Sequence, residues 1–218
     1  MMRYFSMHIP KTGGTAFYDW LCHQFKDVSV NVKRDMVKYE SFTNLLDCDV
    51  VHGHVKFREI APYLTGKEKL IVWVRNPIDR VISNYYFFKN AIQNPLRPQS
   101  SVAQANAHRK DETLIHYAMR PETQNMISDY LEGVSLDSLY FIGSLESFET
   151  DIYQLSNQLS HTNRYYPGAL NQGEKFGSQN ISYEELELLK ELNQKDILIY
   201  NQLMNLRKSR LMQQMLAN

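Results

Sequence analysis

Five consecutive apolar residues, Leu70-Ile-Val-Trp-Val74, constrain this 218-residue chain more than any other feature. A strand that alternates apolar and polar residues can turn one face to water. An unbroken run must be covered on both faces, and the architecture that does this is a parallel sheet with helices above and below. The rest of the chain has the alternation of elements such a sheet requires. Arg3–Ile9 predicts a strand stopped by Pro10, and Phe17, Trp20, Leu21 and Phe25 recur at helical spacing over about Thr15–Phe25. Val28–Val32 and Asp49–Val51 predict further strands, and Pro77 opens a helix, since proline suits a first helical turn. Residues 90–112 are polar, carry Pro95 and Pro98, and read as loop. Helical patterning returns over 112–132, followed by a strand at Leu139–Ile142, a helix at Glu146–Leu159 and a glycine-containing irregular loop over 161–180. Ser182 and Glu185 match a capping box, opening a long helix over about 182–212 whose Arg207-Lys-Ser-Arg210 suits a helix C-terminus. The expectation is one α/β domain over 1–218: three layers, with a central, mostly parallel sheet flanked by helices.

Charge narrows the partners. Lys plus Arg and Asp plus Glu are both 24, which argues against a strongly basic nucleic-acid binder. The balance hides a split: 1–110 holds 16 basic and 9 acidic residues, a net of +7, and 111–218 holds 8 and 15, a net of −7. A chain polarised this way suits an anion held by its first half. Cys22 and Cys48 are too few for a disulfide scaffold, lack C-x-x-C spacing, and read as reduced packing residues of an intracellular protein. No stretch approaches the roughly 18–20 apolar residues of a membrane span, and the N-terminus lacks a signal-peptide core.

In parallel sheets the ligand sits beyond the carboxyl ends of the strands, and three polar motifs fall there. The first is Pro10-Lys11-Thr12-Gly13-Gly14-Thr15, between a strand and a helix. Two glycines let successive N–H groups face one point, the helix adds its positive end, and Lys11, Thr12 and Thr15 add a charge and two hydroxyls: a phosphate cradle. The order differs from an ATPase loop, where Lys follows the second Gly, and no apolar strand ends in a metal-holding Asp. The second motif is Arg75-Asn-Pro-Ile-Asp-Arg80-Val-Ile-Ser83, where Arg at a strand end and Ser on the next helix can hold a second anion. The third is Val51-His52-Gly53-His54-Val55. An ordinary histidine has a pKa of about 6.5 and suits general-base work. A metal pair and a pair of structural histidines are the competing readings, and a metal would need further ligands that no nearby cluster supplies.

Strand–Pro-Lys-Thr-Gly-Gly-Thr–helix followed by strand–Arg-x-Pro-x-x-Arg-x-x-Ser–helix resembles the sulfotransferases that use 3′-phosphoadenosine-5′-phosphosulfate (PAPS). It is most similar to the carbohydrate branch that includes heparan sulfate 2-O-sulfotransferase and its bacterial relatives. The resemblance covers roughly residues 4–160 and implies a P-loop-NTPase-like fold. It also implies that Lys11, Thr12, Gly13, Gly14 and Thr15 hold the 5′-phosphosulfate, that Arg75 and Ser83 hold the 3′-phosphate, and that PAP is the product. In the 2-O-sulfotransferases a His-Gly-His segment supplies the base; by that match His54 is the base, His52 supports it and Lys11 stabilises the leaving group, with no metal. The implied acceptor is a carbohydrate or glycolipid hydroxyl, with 90–120 and 161–180 as its walls. The membrane-bound relatives carry an N-terminal anchor that this sequence does not show, so the expected setting is cytoplasmic and of bacterial type.

Other residues read as bland. His8, His23, His108, His116 and His161 are scattered surface or packing groups, Glu146 and Glu149 suit a helix cap or a catalytic role, and Tyr85-Tyr86-Phe87-Phe88 reads as core. Leu170-Asn171-Gln172 matches a family loop near the nucleotide only loosely. Leu189, Leu192, Ile199, Leu203 and Leu206 form a stripe suited to packing on the chain's own domain, or to the seam of a weak homodimer instead of a monomer. A nucleotide kinase and a non-catalytic nucleotide-binding protein are the alternatives.

Overall fold

The structure, a computed structural model, describes residues 3–25, 28–33, 48–93, 104–159, 165–167 and 181–217. Five strands, β1 (Tyr4–Met7), β2 (Val28–Lys33), β3 (Val50–His54), β4 (Lys69–Val74) and β5 (Phe141–Ser144), form one sheet in the order β2-β3-β1-β4-β5. Every neighbouring pair is parallel. β1 is therefore central, with Tyr4 opposite Val50 on one side and Lys69 on the other.

Among the described residues the helices are α1 (Gly14–Gln24), α2 (Phe57–Ile60), α3 (Pro77–Gln93), α4 (Leu114–Ala118), α5 (Met126–Tyr130), α6 (Phe148–Gln158), α7 (Tyr183–Leu192) and α8 (Gln194–Ala217). Two apolar layers cover the sheet. On one face Val50, Ile71, Trp73 and Phe141 meet Phe17, Trp20 and Leu21 of α1 and Ile152 and Leu155 of α6. On the other, Phe5, Met7, Val51, Val72 and Val74 meet Ile127 of α5 and Ile199, Leu203 and Leu206 of α8. The period-2 alternation of strands does this sorting, and the Leu70–Val74 run is buried throughout, as its composition requires. A third cluster joins α3 (Ile78, Val81, Ile82, Tyr85) to Leu114 and Tyr117 of α4 and Leu189 of α7.

Several boundaries differ from expectation. His52-Gly-His54 lies inside β3, not after it, because Gly53 pairs with Met7 of β1. The 112–132 segment is α4, a 3-10 turn at Pro121–Thr123 and α5, since Pro121 disfavours helical backbone at Arg120 and Asn125 takes a left-handed φ of 47°. The expected strand at Leu139–Ile142 begins two residues later, and the expected helix at Glu146 begins at Phe148 after a 3-10 turn. The capping box is present, with Glu185 N–H donating to Ser182 Oγ and Ser182 N–H to Glu185 Oε2. The single helix over 182–212 is instead two, α7 and α8, parted at buried Asn193, whose side chain accepts from Asn125 N–H and donates to the Leu189 carbonyl. Arg207 and Arg210 do not end a helix. They dock α8, Arg207 pairing with Asp151 and Arg210 donating to the carbonyls of Leu139 (2.6 Å) and Asp137 (2.9 Å).

Candidate functional site

The phosphate loop leaves β1 through Ile9 and Pro10. Thr12 is fully buried and donates its hydroxyl to the Ile9 carbonyl at 2.8 Å, so this side chain closes the turn. Lys11 holds a φ of 71°, a left-handed conformation that costs a non-glycine residue roughly 1–2 kcal/mol, and Gly13 follows at 87°. Gly13 is the N-cap of α1 and no side chain caps the helix, so the N–H groups of its first turn stay available to an anion. Gly14 has no room for a side chain: a Cβ there would lie 1.8 Å from His8 Nε2. Thr15 is exposed on the first turn, and the Lys11 ammonium sits 4.0 Å from the centre of the Phe87 ring.

Phe87 belongs to α3, four residues after Ser83, so the two share the helix face that looks toward the loop. Phe87 is exposed, unlike the core position the aromatic run suggests. Asn76 caps α3, its Oδ1 accepting from Ile78 and Asp79 N–H. Arg75, just before it at the end of β4, is half-buried and donates a long 3.5 Å bond to the Lys11 carbonyl. Burial lowers its pKa, with Asp79 and Glu146 opposing. A guanidinium so weakly used beside an uncapped helix end fits a second anionic group. Ser83 is half-buried on the second turn of α3.

Arg80 is different. It is fully buried, with Nη2 3.9 Å from Asp196 Oδ2 and 3.3 Å from the Thr123 carbonyl. Asp196 in turn accepts from the N–H groups of Ile127 and Ser128. This node fixes α3 to α5 and α8. Glu146 also joins elements: it accepts from Asn76 N–H at 2.6 Å and from Ser144 Oγ, tying the end of β5 to the end of β4. Among the described residues no group of three or more His, Cys, Asp or Glu is arranged to hold a metal ion, and no helix is long and apolar enough to cross a membrane.

The histidines gather on the α1 side of the sheet. His54 is exposed at the end of β3, and its Nδ1 lies 2.9 Å from the His8 carbonyl. A carbonyl only accepts, so Nδ1 carries the hydrogen and Nε2 keeps its lone pair. Although part of the ring is open to solvent, the protein packed around it desolvates the imidazole and lowers the His54 pKa, with the His8 carbonyl bond opposing. His52 is buried, paired through Nδ1 with Ser6 Oγ at 2.9 Å, and its pKa is pushed down to about 3 by burial first and then by His54. His8 stacks on both, with ring centres 4.0 Å from His54 and 4.9 Å from His52. Sequence reading set His8 aside as bland. Only the pairing of β1 with β3 brings it to the site, and its place two residues before Pro10 of the loop is the one signal available in the sequence.

The remaining candidates scatter. His23 stacks on Tyr165 at 3.6 Å, and His108 and His116 are exposed on another surface. His161 and Leu170-Asn171-Gln172 lie outside the described residues, as does most of the 161–180 loop.

The sulfotransferase domain family matches residues 5–187. A sulfotransferase from Alicyclobacillus acidocaldarius shares the fold at 16% identity and a TM-score of 0.52, over 95% of this chain and 96% of that one. Mouse sulfotransferase SULT7A1 complexed with PAP aligns at 15% identity and a TM-score of 0.49, over 88% and 84%. No curated protein sequence matches. With a family match that spans the phosphate loop, the His-Gly-His strand and the Arg75–Ser83 helix, the chain belongs to the sulfotransferase family of enzymes.

Proposed function

We propose that this enzyme transfers a sulfuryl group from PAPS to a hydroxyl of a carbohydrate acceptor, with His54 as general base. One observation carries the reading: Lys11, His54 and Arg75 follow or end three adjacent parallel strands, β1, β3 and β4, and His54 presents an unprotonated Nε2 at that edge. Family membership and the two motifs support the donor. The uncapped start of α1 and the Cβ-free backbone at Gly14 fit its 5′-phosphosulfate. Arg75 and Ser83 fit its 3′-phosphate.

When bound, PAPS supplies a sulfuryl group activated by its attachment to phosphate. The chain's residues do the rest. His54 Nε2 takes the proton of the acceptor hydroxyl. Lys11 balances negative charge beside the loop, the N–H groups of Gly14 and Thr15 orient the phosphate, and Arg75 fixes the far end of the nucleotide. His52 is too buried to meet an acceptor and serves by packing. Thr12 contributes through the shape of the loop. A glycan acceptor, a cytoplasmic setting and a monomer or weak homodimer complete the proposal.

The test uses PAPS labelled in its sulfuryl group, a panel of p-nitrophenyl glycosides, and wild-type, His54→Ala and Arg75→Ala proteins. His54→Ala should lower turnover about 10²-fold or more while PAP still binds. Arg75→Ala should mainly weaken PAP binding. Near-normal turnover in His54→Ala would remove the base assignment, and unchanged PAP affinity in Arg75→Ala would remove the 3′-phosphate assignment.

A further inference from the structure

His8 is an expensive residue for plain packing. Its Nδ1 is buried and makes no hydrogen bond, a cost that an apolar side chain would avoid. Its ring is nonetheless held from three directions: against His54 with an interplanar angle of 23°, against His52 at 21°, and in the space beside Gly14 that a Cβ would fill. Its own carbonyl takes the Nδ1 hydrogen of His54. One residue thus touches His54 twice, by backbone and by ring.

We propose that His8 is a positioning residue for sulfuryl transfer: its neutral ring is the flat wall that holds the His54 imidazole in one orientation and keeps water from its inner face. The proposal rests on the reading of His54 as the base. The groups around this pair give an imidazolium little support. They are Lys11 from the phosphate loop, His52 from β3 and Tyr18 of α1, which stacks over His52 at 6.3 Å. Among the described residues none of these groups is a carboxylate. Burial above all, then His52, His54 and Lys11, pushes the pKa of His8 down to about 2, so its ring is neutral wherever the enzyme works. A neutral wall excludes water without adding charge, and His54 stays a free base to lower pH than a solvated histidine would.

The distinguishing property is the flat ring, so His8→Phe keeps the wall while His8→Ala and His8→Asn open it. In full-length protein labelled with ¹³C-histidine, the titration midpoint of His54 should rise in the two opened variants, toward the ordinary value of about 6.5. In His8→Phe it should stay with wild type. The acid limb of the turnover profile, read with labelled PAPS and the p-nitrophenyl glycosides, should move the same way, and His8→Phe should restore the wild-type profile. If Ala fails to fold, Asn opens the same stack. An unmoved midpoint in the opened variants, or an equal shift in His8→Phe, overturns the proposal. The two readings fail separately: turnover surviving His54→Ala removes the base and this role with it, whereas a dead His54→Ala enzyme with unmoved midpoints removes the role of His8 alone.

Discussion

The histidine stack should make the fold acid-sensitive in a calculable way. His8 and His52 have pKa values of about 2 and about 3, against 6.5 in an unfolded chain, and burial is the leading cause for both. The unfolded chain therefore binds these protons first. Stability from keeping the two rings neutral is complete above pH 6.5 and is lost steadily as pH falls from there toward the folded values. At pH 5 each unfolded histidine gains about 2 kcal/mol from protonation that the folded group forgoes, so the pair removes about 4 kcal/mol relative to pH 7.5. That is a large share of the roughly 5–15 kcal/mol that holds a domain folded. Urea unfolding at pH 7.5 and at pH 5 measures it, in wild type and in His8→Phe/His52→Asn. Phenylalanine keeps the stacked ring, and asparagine keeps a polar atom near the Nδ1 that pairs with Ser6. The stability difference between the two pH values should shrink by about 4 kcal/mol in the double variant. Carboxylates that titrate in both proteins cancel in the comparison. Equal pH dependence in the two proteins would refute the neutral, buried stack.

Gly14→Ala should force the His8 ring aside, since its Cβ would lie 1.8 Å from Nε2. A cost of about 1–3 kcal/mol in urea and loss of the PAP-dependent rise in Tm are expected. Asp196→Ala should leave Arg80 buried without its countercharge and cost about 3–5 kcal/mol by urea unfolding; a loss below about 1 kcal/mol would contradict the node. Ser182→Ala removes one exposed cap acceptor and should cost only about 1 kcal/mol, with turnover unchanged.

What the sequence disclosed was what local order controls. The apolar run at Leu70–Val74, the turn at Gly13-Gly14 and the Ser182 cap each depend on a few neighbouring residues, and each stands where expected. What depended on distant pairing stayed hidden. His8 reads as an ordinary strand residue until Met7 is set against Gly53. Arg80 stands in the sequence only as a member of the Arg75–Ser83 motif, and Asp196, far along the chain, is what shows its place in the core. The helix over 182–212 breaks because Asn193 answers Asn125, not because its own propensities fail. Phe87 looked like core because its aromatic neighbours are core; the helix turns it outward, under Lys11.

The central place of β1 has a further consequence, for synthesis. β1 is made before both of its partners, β3 and β4, so on the ribosome it waits for them until residues near Val50 and Lys69 have emerged. Part of the layer over Phe5, Met7 and Val72 comes from Ile127, and the rest from Ile199, Leu203 and Leu206, which at about 5–20 residues per second appear on the order of ten to tens of seconds after β4. During that interval the part of this face that α8 covers is bare and apolar. Slower translation would lengthen that exposure, where a fold of local contacts would be indifferent.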